Sequence, residues 1–118
     1  MNVDKLKGLS QFTGTEGYHK LTIGPLLATD GVKYLCENAD CFWLMDAIAS
    51  YQGKRTVKEL GIQFWRFKKL SGGKAVLFCE PDTNVEPVVI QKLDFTDFPL
   101  DEQKIWVQAG VAMLPSEY

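Results

Sequence analysis

The chain has 118 residues, 46% of them hydrophobic and 24% charged, with a formal net charge of -2. That length is the usual size of one domain, and that balance excludes a disordered or fibrous chain. The longest apolar stretch, around residues 41–49, is broken by Asp46 and falls short of the ~20 residues that cross a bilayer, while Met1 to Lys7 lacks the apolar core of a secretory signal. A single cytoplasmic domain without membrane contact is expected, either a monomer or a homodimer.

Up to about Gly24 the chain shows little periodicity, and the spacing of Leu6, Leu9 and Phe12 predicts a short helix followed by irregular structure. From Thr29 the pattern sharpens. Thr29 or Asp30 can cap a helix, and Val32, Leu35, Cys36 and Ala39 recur at i, i+3, i+4 and i+7, which makes one amphipathic face. Asp40 can cap a second helix, in which Asp46 and Ser50 are the only polar positions of the run that ends at Tyr51; it is expected to be buried nearly all round and to stop at Gly53.

The second half reads as strands. Ile62 to Leu70 is rich in aromatics, Ser71-Gly72-Gly73 supplies a tight turn, and Ala75 to Cys79 returns as the partner strand. A third strand is expected from Val88 to Phe95 and a fourth over about Lys104 to Met113, with Ile105, Val107, Ala109, Val111 and Met113 facing inward. Helices first and strands afterwards predict an α+β two-layer sandwich, with N-terminal helices packed on a four-stranded antiparallel sheet.

Residues that carry chemistry are sparse. Cys36, Cys41 and Cys79 lie in or beside apolar runs without Cys-x-x-Cys spacing, so they read as buried free thiols. His19 is the single histidine and has no partner nearby in sequence; Ser50 and Ser71 lie outside the Gly-x-Ser-x-Gly elbow that exposes a nucleophile. Asp94, Asp97, Asp101 and Glu102 fit no EF-hand spacing and read as a solvated acidic turn, and Ser71-Gly72-Gly73-Lys74 lacks the full Walker spacing. No catalytic residue, metal or cofactor is assigned, and the chain is expected not to be an enzyme.

Charge is distributed unevenly along the chain. Between Lys54 and Lys74 lie seven cations against Glu59, and between Glu80 and Glu102 seven acids against Lys92. Two readings compete. Trp65, Arg66, Lys68, Lys69 and Lys74, interleaved with Phe64 and Phe67, are residue types that bind single-stranded nucleic acid by pairing phosphates and stacking bases. Alternatively, adjacent basic and acidic patches register a protein partner, with Asp97, Asp101 and Glu102 on the acidic side and Trp106, opposite the inward face of its strand, as an anchor. The second reading requires the fewest unseen residues.

Five strings carry a resemblance: residues 11–15 (QFTGT), 29–35 (TDGVKYL), 42–52 (FWLMDAIASYQ), 95–101 (FTDFPLD) and 114–118 (LPSEY). Through them the chain resembles a family of small uncharacterised proteins, a domain of unknown function found in bacteria, phages and plasmids. The resemblance supplies no catalytic residues. The genomic setting it implies is one in which small proteins bind and block a host factor, including defence complexes such as CRISPR effectors, so a host protein or complex is the expected partner.

Overall fold

A computed structural model describes residues 8, 11–14, 17–22, 24–82 and 85–118. Among these the chain forms β1 (Leu27–Ala28), α1 (Asp30–Ala39), α2 (Phe42–Ser50), α3 (Arg55–Lys58), β2 (Ile62–Lys69), β3 (Ala75–Glu80), β4 (Val89–Leu93), β5 (Glu102–Gln108) and β6 (Val111–Met113). The short helix expected through Leu6, Leu9 and Phe12 falls largely outside the described residues.

The α1 helix starts where its residues say it should. Thr29 is the N-cap, its hydroxyl accepting from the Val32 amide, and Val32, Leu35, Cys36 and Ala39 are buried. Asp40 does not cap the second helix. It ends the first in a left-handed conformation, φ 52°, and its amide donates to the Cys36 carbonyl. The α2 helix buries Leu44, Met45 and Ile48 and leaves the Phe42 side exposed, because only one side of it meets the sheet; it ends at Ser50, before Gly53.

The fold is α+β, but the sheet is mixed and has six strands in the order β1-β6-β5-β2-β3-β4, not four antiparallel ones. Two features make the difference. The run expected as one strand from Lys104 to Met113 is a hairpin broken at Ala109 and Gly110, whose φ values of 53° and 77° form a tight turn. The short segment Leu27–Ala28, to which the sequence pattern assigns no element, adds to β6 as a parallel edge strand. Nor is the sheet a simple meander: β5 pairs with β2, so residues 94–101 must cross from one edge of the sheet to its middle. They pass the β2–β3 turn, where the Thr96 amide donates to the Gly73 carbonyl, and insert Phe98 into the core against Phe67.

The β2–β3 hairpin is as expected, with Gly72 and Gly73 at positive φ in its turn. Its alternation decides the rest. Gln63, Trp65 and Phe67 on β2, Ala75, Leu77 and Cys79 on β3, and Ile105 and Val107 on β5 are buried on the face that meets the helices. Trp43 and Tyr51 of the α2 region pack on Phe67 and Trp65. The Trp65 indole N–H donates to Gln63 Oε1, and Gln63 and Gln52 exchange amide hydrogen bonds, so the polar atoms of this face are satisfied. All three cysteines are buried free thiols.

Candidate functional site

On β2 the residues between the buried ones point to the opposite face. Phe64, Arg66 and Lys68 stand beside Glu80, Phe78 and Val76 of β3 and beside Trp106, Lys104 and Glu102 of β5. Ile90 and Lys92 continue the face onto β4, and Met113 onto β6. No described α-helix covers it, and Tyr118 packs on Trp106 at one side. Ile90 is 62% exposed, while Phe64 and Trp106 are half-buried against each other, Trp106 also against Tyr118, and Phe78 is half-buried under Arg66. Partly exposed aromatics interleaved with charged side chains are a composition found at interaction surfaces.

Arg66 organises the centre of this open face. Its Nε donates to Glu102 Oε1 at 2.9 Å and its Nη1 to Glu80 Oε1 at 3.3 Å, while the guanidinium lies 4.9 Å from the centre of the Phe78 ring. Partial burial alone would lower the Arg66 pKa, but the hydrogen bonds with Glu102 and Glu80 outweigh that and raise it. Beside it Phe64 and Trp106 meet edge to face at 5.1 Å, and Trp106 meets Tyr118 at 5.4 Å. The groove between them encloses about 300 Å³, bordered by Phe64, Trp106, Arg66 and Lys104, with Glu80, Asp82 and Glu102 on the acidic side.

Of the residues singled out in sequence, Arg66, Glu102 and Trp106 come together here, and Lys68 stands at the margin as the cross-strand partner of Glu102. Trp65 does not. It is 1% exposed in the core and cannot stack on a base. Lys74 follows the β2–β3 turn and Lys69 ends β2, its amide donating to the Asp101 carbonyl; Asp97 and Asp101 lie exposed on the crossing connection. The expected separation of charge also fails at β2: the topology sets this basic strand between the acidic end of β3 and the acidic start of β5, and Arg66 pairs with both. Sequence reasoning missed Phe78, Glu80 and Lys104 as members, because their neighbourhood is created by strand order.

A second polar cluster surrounds the start of α1. Glu117 Oε1 accepts from the Thr29 hydroxyl at 2.6 Å and the Leu114 amide at 2.9 Å, and Oε2 accepts from the Gly31 amide at 3.1 Å. A carboxylate at a helix N-terminus satisfies orphan amides there. His19, which has no partner nearby in sequence, bonds Asp30 through Nε2 at 2.7 Å, and its backbone bridges to Ala28 in both directions. These contacts tie residues 19 and 117 to α1. Among the described residues the imidazole meets no nucleophile.

The thiols are chemically quiet. Burial, with a smaller push from Glu80, takes Cys79 up to about 12 against the opposing Phe64 amide; a hydrogen bond with Cys36, then burial, raises Cys41. Among the described residues no three His, Cys, Asp or Glu side chains converge to hold a metal, and no helix is long and apolar enough to cross a membrane.

Fold and surface together define a small α+β protein whose mixed sheet is covered by helices on one face and largely open on the other. The chain belongs to DUF6876, a family of unknown function, which matches residues 4–118. No curated protein and no solved structure matches it.

Proposed function

We propose that this chain is a non-catalytic binding protein that docks a protein partner against the open face of its sheet. The observation that supports the reading is the pair of apolar patches, Phe64 with Trp106 and Phe78 with Ile90, that flank Arg66 and Glu80 on a sheet face no described α-helix covers. In the setting the family resemblance implies, the partner is a host protein or complex, and occlusion of its working surface is the action. Rings held by neighbouring rings and by Arg66 lose little freedom on docking, which favours affinity.

Single-stranded nucleic acid is the second reading, favoured by Lys68 and Lys104 on the same face as Phe64 and Trp106. Two features weigh against it. Three carboxylates share the groove with two cations and repel a polyanion, and the rings lie edge to face with Phe78 already occupied by Arg66, which leaves a poor stacking platform.

The test is capture from host lysate with three folded baits: the native chain, Ile90→Asp on the open face, and Arg55→Ser on α3, all of matched melting temperature. The expected partner is held by the native and Arg55→Ser chains and lost by Ile90→Asp. A partner held equally by all three overturns the assignment of the face. Salt-sensitive binding of a labelled thymidine oligomer that weakens when Lys68 and Lys104 are neutralised would favour the second reading instead.

A further inference from the structure

Resting on the protein-docking reading of the open face, we infer that the groove beside Arg66 receives a basic side chain, arginine or lysine, carried by the partner on an apolar segment. Two cations against three carboxylates leave the groove net negative, so charge complementarity selects a cationic occupant. Phe64 and Trp106 form the apolar wall, and an aromatic wall beside carboxylates attracts a cation twice, through the ring quadrupole and through charge-assisted hydrogen bonds.

The molecule already displays this chemistry with its own side chain. Arg66 sits between Glu80 and Glu102 over the Phe78 ring, and each glutamate contacts it through Oε1. Among the described residues Oε2 of each makes no further hydrogen bond, so both retain acceptor capacity toward the groove. An incoming carboxylate or phosphate would instead meet Glu80, Asp82 and Glu102 at once. At about 300 Å³ the groove lies at the small end of ligand pockets, suited to one long side chain rather than a large ligand.

The experiment is an NMR titration of the full chain at low ionic strength with three probes: acetyl-Leu-Arg-Leu-amide, its Glu counterpart, and a short thymidine oligomer. The arginine peptide should move the Trp106 indole signal. Asp82→Asn and Glu102→Gln should each weaken that binding by roughly ten-fold, as should added salt. Asp82→Asn keeps both glutamates that bond Arg66, so it tests the groove with Glu80 and Glu102 in place. A stronger response to the Glu peptide or the oligomer overturns the inference, as does no response to any probe. Movement of the same signal with protein concentration alone would assign the groove to a second copy of the chain. A host partner lost by Ile90→Asp but held undiminished by Asp82→Asn and Glu102→Gln would overturn this inference and leave the docking reading standing.

Discussion

Phe64 and Trp65 are consecutive aromatic residues of one strand, yet they live in different media. Trp65 is enclosed by Tyr51 and the core, with its indole N–H on Gln63; Phe64 leans on Trp106 across a face that no described α-helix covers. The covered face is closed in the ordinary way, by helices and by pairing its few polar atoms. The open face keeps its rings in place by other means: an arginine over one ring, edge-to-face contacts between others, and two glutamates fixing the arginine. Equal aromatic content on two faces therefore does not mean equal contribution to stability. One face holds the protein together, and the other is arranged but unspent.

The largest effect should come from Trp65→Ala, which removes a fully buried ring and is expected to cost about 3–5 kcal/mol, read as a lower urea midpoint. A loss below about 1 kcal/mol would erase the contrast between the faces. Gly31→Ala probes the covered side where α1 begins. Alanine ordinarily favours a helix, but its Cβ would lie 2.6 Å from Glu117 Oε1 and 2.7 Å from Leu114 Cδ1. The carboxylate would have to leave Thr29 and two amides, so a net loss of about 1–3 kcal/mol in thermal or urea unfolding is expected. The smallest effect belongs to Ile90→Thr, a β-branched exchange at an exposed open-face position, expected within about 0.5 kcal/mol of the native chain by the same measurement.

What the sequence revealed was local. Thr29 and the i, i+3, i+4, i+7 pattern after it locate α1, and two glycines between aromatic and aliphatic alternations locate the β2–β3 hairpin. Alternation misled at β5 and β6, for a geometric reason. The turn at Ala109-Gly110 folds the chain back, so Val107 faces the core with Ala112, while Val111 and Met113, of the same parity as Val107, stand on the open face. Leu27–Ala28 is too short to show a period, and its partner lies more than eighty residues away. The candidate site was legible in part: Arg66, Glu102 and Trp106 stood out as residue types, but which parity of β2 meets the helices depends on tertiary packing. That choice put Trp65 inside and Phe64 outside.

The Thr29–Glu117 hydrogen bond spans 88 residues of sequence, and β1 pairs with a strand almost as distant. The edge of the sheet beside α1 is therefore closed by contacts between residues far apart in the chain, whose closure costs more chain entropy than that of the β2–β3 hairpin. During synthesis β2 and β3 can pair with each other as soon as both are made, before β4 and β5 join them, whereas the Gly31 amide at the start of α1 waits for Glu117 before it is capped. The seam between residues 27–31 and 111–117 therefore carries the largest loop-closure cost in the described fold.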